Sequence, residues 1–175
     1  MRLVLAKTAA LTLAATLVTT AAAAPAHAQG HDRAGIRFGL AGTGLFGLDD
    51  QGSAFGGMAL IGYGARHGLG FRADGTVLRD DGVTTEFVTG NLTYVFETPS
   101  SVFHPYVIGG GGFFHAPDNF EPAAKLGGGI EYHIAQRNRG PVLFLEPTLN
   151  FVFGGDDGGG TTKSIQLNLG LKVGG

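Results

Sequence analysis

The sequence contains no cysteine, so no disulfide can hold the fold together. Beyond the first thirty residues no segment approaches ~18 consecutive apolar residues, which excludes a spanning helix there. No window outside that first segment shows a helical period. Basic residues do not dominate: 12 Lys and Arg stand against 14 Asp and Glu, a formal charge of −2, so nothing points to a nucleic-acid partner. Glycine is abundant, 32 of 175 residues, but lacks the three-residue period of collagen.

What is present begins with MRLVLAKTAALTLAATLVTTAAAAPAHAQG. Arg2 and Lys7 precede an Ala- and Leu-rich run that ends in Ala26-His27-Ala28, small residues at the −3 and −1 positions of a cleavage site. Residues 1–28 read as a secretory signal peptide, and residues 29–175 as one exported domain. A small exported domain without disulfides needs another source of stability, such as a closed hydrogen-bonded barrel.

After the signal the chain alternates between apolar and small or polar residues in eight stretches. Strands are predicted over 35–46, 54–66, 68–79, 84–97, 102–115, 122–134, 141–154 and 162–173, each long enough for a tilted membrane strand of ~9–11 residues. The last, TKSIQLNLGLKV, sets Ile165, Leu167, Leu169, Leu171 and Val173 against Gln166, Asn168 and Lys172. The connections also alternate. The first, third, fifth and seventh carry Asp49-Asp50, Asp80-Asp81, Asp118 with Glu121, and Asp156-Asp157; the other three are neutral or basic. In an up-and-down meander this makes one end acidic.

The two-residue period predicts an outward face with Ile36, Phe38, Leu40, Phe55, Ile61, Phe71, Val88, Leu92, Ile108, Leu126, Leu143 and the leucines of the last strand. All four tyrosines, Tyr63, Tyr94, Tyr106 and Tyr132, join it near the short-turn end. Phe46, Phe55, Phe114, Phe151 and Phe153 lie toward the acidic end. Two aromatic belts flanking an aliphatic band suit a bilayer, because amphipathic rings favour the headgroup level. Strands two and five blur this phase: Met58, Leu60, Val107 and Phe113 fall on the other face.

That other face carries Arg37, Arg72, Asp74, Lys125, Glu131, Glu146 and Lys172, with Thr, Asn, Gln and His133 between them. An eight-stranded barrel has an interior just wide enough to be filled by side chains. Glycine, threonine and a few long polar side chains fill it comfortably, whereas Phe and Leu in every layer would not fit. Enclosed charges must pair, and the expected grouping sets Glu131 and Glu146 against Lys172 and Arg37, plugging the lumen.

These features, with the AHA ending and the QLNLGLKV strand, resemble the small outer-membrane β-barrel family, OmpA/OmpX-like. The resemblance implies an all-β, eight-stranded antiparallel up-and-down transmembrane barrel in the cell outer membrane, with both termini in the periplasm. It makes Tyr63, Tyr94, Tyr106 and Tyr132 a periplasmic-side belt. Outer-membrane lipid and the outer-membrane assembly machinery become the expected partners. Members of that class typically finish on an aromatic residue; this sequence finishes Val173-Gly174-Gly175.

Sites for chemistry are sparse. The runs Gly109–Gly112 and Gly127–Gly129 lack the helix and the lysine-serine pair of a phosphate loop. His104, His115 and His133 do not assemble a metal or catalytic pattern, and no catalytic residue, cofactor or resident metal is assigned. A divalent cation at the acidic doublets is the one metal reading the loops offer. The function expected is non-enzymatic, a structural or surface-interaction role through acidic extracellular loops. The alternatives are a narrow channel gated by Arg37, Glu131, Glu146 and Lys172, a lipid-modifying enzyme and a soluble periplasmic barrel.

Overall fold

The computed structural model describes residues 35–48, 52–98, 102–117, 119–134, 140–154 and 160–174. The expected signal segment, Asp49-Asp50, Asp118 and Asp156-Asp157 lie outside the described residues. Eight strands follow in order: β1 Gly35–Gly47, β2 Ser53–Gly64, β3 Leu69–Asp80, β4 Val83–Val95, β5 Phe103–Ala116, β6 Asn119–His133, β7 Val142–Phe153 and β8 Thr161–Gly174. Every predicted strand is present, with ends within three residues of the expectation.

Each strand pairs antiparallel with the next, and β8 returns to β1. Closure of the all-antiparallel barrel leaves no edge strand to be satisfied by water or lipid. The β3–β4 hairpin shows how the sequence sets register locally. Asp80 pairs with Val83, and Asp81 and Gly82 between them take φ of 44° and 89°. Positive φ at both central residues is the type I′ turn that Asp-Gly favours, and its twist matches that of the flanking strands.

The outward face is apolar. Phe38, Leu40, Phe55, Phe71, Val88, Leu126 and Leu169 are all exposed. Ile165, on the same phase, is nonetheless buried, in register with Phe46 on one side and Leu149 on the other. Exposed Tyr63, Tyr94 and Tyr132 stand near the short-turn end. Toward the acidic end Phe46 meets Phe55 edge-on at 6.0 Å, and Phe113 stacks on Phe120 at 4.9 Å.

Strand β5 departs from the expected phase. Tyr106 and Ile108 are buried in the lumen, whereas Phe103 and Phe113 are exposed. Tyr106 therefore does not belong to the aromatic belt; Phe103 occupies that place, 4.9 Å from the Tyr132 ring. Phe114 likewise points inward, and Phe113 takes its position outside. The reason is register. Outward Leu92 pairs with Gly109 and inward Thr93 with Ile108, so the odd-numbered residues of β5 face out. Four consecutive glycines carry no hydrophobic phase of their own, so pairing with β4 decides it.

Candidate functional site in the barrel interior

The polar residues of alternate strand positions converge in the lumen in two ionic groups. In the first, the Arg72 guanidinium on β3 donates to both oxygens of Glu146 on β7, Nη1 to Oε2 at 2.6 Å and Nη2 to Oε1 at 2.7 Å. Its Nη2 also donates to Asp74 Oδ2 at 2.9 Å. Lys125 from β6 donates to the same Asp74 oxygen, as does Asn91 Nδ2 at 3.0 Å. The Tyr106 hydroxyl donates to Glu146 Oε2 at 2.7 Å. This fork of paired N–H donors on a carboxylate is the strong, directional form of an ion pair. Its partners span β3, β4, β5, β6 and β7, so it ties the barrel across its diameter.

Tyr106 fits inside because Gly129 has no side chain. A Cβ at Gly129 would lie 2.6 Å from Tyr106 Cζ and 2.7 Å from its hydroxyl oxygen. The glycine run of β6 thus makes room for a ring in the lumen.

The second group lies toward the short-turn end. Glu131 accepts from Lys172 Nζ at 2.9 Å and from Arg37 Nη1 at 3.4 Å. His133 Nε2 stands 3.7 Å from Glu131, and the His133 ring meets His104 edge-on at 5.0 Å. Lys172 also lies over the Tyr106 and Phe144 rings, 4.7 and 4.5 Å from their centroids. Cations over aromatic faces gain from the ring quadrupole.

The seven charged residues singled out from sequence therefore meet inside, but not in the expected grouping. Glu131 holds Arg37 and Lys172, while Glu146 binds Arg72 rather than Lys172 or Arg37. Strand adjacency suggested the β7–β8–β1 partners; the long Arg72 side chain instead reaches Glu146 across the lumen.

An amide ladder continues toward the acidic end. Thr43 Oγ1 and Gln166 Nε2 both donate to Asn168 Oδ1 at 2.8 Å, and Asn150 Nδ2 donates to Gln166 Oε1 at 2.9 Å. Asn168 Nδ2 joins the ladder to Glu146 at 3.1 Å. Buried polar groups in such a network cost little because each has a partner.

Above the ladder the interior turns apolar. Ala54, Leu78, Phe87, Ala123 and Val152 form a buried cluster, with Leu45 and Phe114 packed against it. A smaller one joins Met58, Leu60 and Phe144 within the polar region. The expected filling of glycine, threonine and polar chains thus holds only for part of the lumen. Alternation alone would have found Leu78 and Val152, since each shares the phase of polar residues on its own strand.

Cavities open on both sides of the network. One of about 60 Å³ reaches Arg37, Tyr106, Glu131 and Lys172 at the short-turn end. The other, of about 520 Å³, opens at the acidic end above the apolar cluster. Among the described residues no group of three or more His, Cys, Asp or Glu is placed to hold a metal ion. His115 is exposed, 3.9 Å from Glu86.

No protein family and no curated protein matches the sequence. Solved structures match by shape. Neisserial surface protein A (NspA) is similar with a TM-score of 0.59 at 18% identity, over 83% of this chain and 99% of that one. The N-terminal β-barrel domain of Pseudomonas aeruginosa OprF is similar with a TM-score of 0.50 at 18% identity, over 82% and 99%. With its closed eight-stranded meander, its apolar exterior and these likenesses, the chain has the fold of the small, OmpA/OmpX-like outer-membrane β-barrels.

Proposed function

We propose that the protein is a non-enzymatic component of the cell outer membrane, exported by cleavage after Ala28, with a structural or surface-interaction role through its acidic connections. The observation that carries this reading is the inversion of the barrel: Phe38, Leu40, Phe71, Val88 and Leu126 face out, while Arg72, Asp74, Lys125 and Glu146 are buried within. Water would favour the opposite arrangement, and hydrocarbon favours this one. Strands of 12 to 15 residues are long enough to cross such a layer when tilted. Both termini and the short turns then face the periplasm, the tyrosines Tyr63, Tyr94 and Tyr132 mark that interface, and the acidic connections face outward. Outer-membrane lipid and the assembly machinery are the partners this topology requires. The ionic network fills the lumen as a rigid plug, which supports a structural role over conduction.

The test is fractionation after expression in a Gram-negative host. The protein is expected in the membrane pellet after a carbonate wash, with heat-modifiable gel migration and an N-terminus at Gln29. An epitope inserted in the 155–161 connection is expected to be labelled on intact cells. Release by carbonate, with no heat-modifiable form, overturns the reading.

A further inference from the structure

The acidic mouth of the barrel carries chemistry that the structural role does not use. Its cavity of about 520 Å³ has an apolar and aromatic floor in Leu45, Phe87, Phe114 and Val152. Asp80, Asp81 and Glu121 line its wall, Glu121 in register with Phe114. Phe87 and Phe114 stand 4.8 Å apart with their planes inclined by 52°, offering two aromatic surfaces rather than one flat stack. No lysine or arginine is among the described lining residues; the nearby basic residues of β3 and β8, Arg79 and Lys163, have the outward phase of their strands. Gly52 leaves Asp80 uncrowded: a Cβ there would lie 2.9 Å from Asp80 Oδ2.

A plug alone needs none of this. An apolar floor selects against small hydrated ions, since their shells would have to be stripped without replacement ligands. Carboxylates at the wall select against anions. Aromatic faces beside carboxylates suit a cation whose charge is spread over methyl or methylene groups, because such a cation is weakly hydrated and attracted by the ring quadrupole. We infer that the mouth of the barrel is a binding site for a compact organic cation of the quaternary or alkylated ammonium class, seated on Phe87 and Phe114 and held by the carboxylates of Asp80, Asp81 and Glu121. The inference names a ligand class for the surface-interaction role proposed above, but its physical basis is the folded barrel and not the membrane.

The experiment uses the mature protein folded in dodecylmaltoside micelles, whose headgroup carries no ammonium, with benzyltrimethylammonium as probe, benzenesulfonate as the anionic counterpart and empty micelles as background, read by calorimetric titration. Two variants are compared. Asp80→Asn, Asp81→Asn and Glu121→Gln together remove the charge of the described lining, and Phe87→Leu removes an aromatic face while keeping an apolar side chain. The expected result is saturable binding of the cation above background, none of the sulfonate, and affinity weakened about tenfold by the charge variant and about fivefold by Phe87→Leu. Absence of saturable cation binding to the wild type overturns the inference, as does equal binding by wild type and charge variant. Heat-modifiable migration establishes that each variant is folded; should Phe87→Leu fail it, the charge variant at the open mouth decides alone. If fractionation places the protein outside the membrane, the titration is unaffected. If the protein is membrane-resident and the cation does not bind, only the present inference falls.

Discussion

Arg72 and Leu78 point into the same lumen from the same face of β3, and both are buried, yet their surroundings are opposite. Around Arg72 the barrel gathers Asp74, Glu146, Lys125, Asn91 and Tyr106 into one hydrogen-bonded group. Around Leu78 it gathers the apolar side chains of Ala54, Phe87, Ala123 and Val152. The outward face is apolar and exposed almost throughout, the arrangement that hydrocarbon favours. The inward face is set locally: most enclosed polar groups meet polar partners, although Asn91 Oδ1 and Thr148 Oγ1 make no hydrogen bond with a described residue. Charges are tolerated where several strands supply counter-charges together, and the remaining space fills with methyl groups and rings.

Breaking each side of that comparison should cost different amounts, each measurable as a shift in denaturant unfolding of the protein in lipid vesicles. Arg72→Leu should have the largest effect, about 3–5 kcal/mol, because Glu146 and Asp74 lose the guanidinium that compensates their burial. Replacing Arg72 and Glu146 together by apolar residues should recover much of that loss, since the unpaired charge and not the absence of an ion pair is the main penalty. Leu78→Ala should cost about 2–3 kcal/mol, the lower part of the range for such truncations, because the open mouth lets the cluster relax. Tyr106→Phe should cost about 1–2 kcal/mol: Glu146 loses one donor but keeps Arg72 and Asn168. His115→Ala should change stability by no more than about 0.5 kcal/mol, since its contact with Glu86 is half exposed and on the outer surface. An inverted order of the first two would mean that packing, and not ionic compensation, dominates the lumen.

The plug can also be probed as a barrier. Planar-bilayer recording of the wild type is expected to show no steady conductance, and Glu131→Gln or Glu146→Gln is expected to leave it closed. Steps that appear on neutralising either glutamate would favour a channel gated at that group.

Much of this was legible in the chain. Strand number, strand ends, the inward charges and the Asp-Gly hairpin follow from the two-residue period and from turn chemistry. The site was less legible. Alternation puts Tyr106 on the outward face, and the structure puts it inside, because Gly109–Gly112 carry no phase between it and Phe113. The room made by Gly129 for the Tyr106 ring has no signature in β5 itself. The bond from Arg72 to Glu146 joins strands that are not neighbours, and no sequence spacing encodes a contact across a lumen.

Alternation by itself determined that eight strands would have one apolar and one largely polar face, because successive side chains on a strand must point to opposite sides. It also determined that the polar set would include Arg37, Arg72, Asp74, Lys125, Glu131, Glu146 and Lys172. Only the tertiary structure decided which carboxylate each cation meets, which face Tyr106 takes and where the lumen becomes apolar. Those choices depend on register between strands and on closure of β8 onto β1, which set the height of each side chain and its neighbours across the barrel.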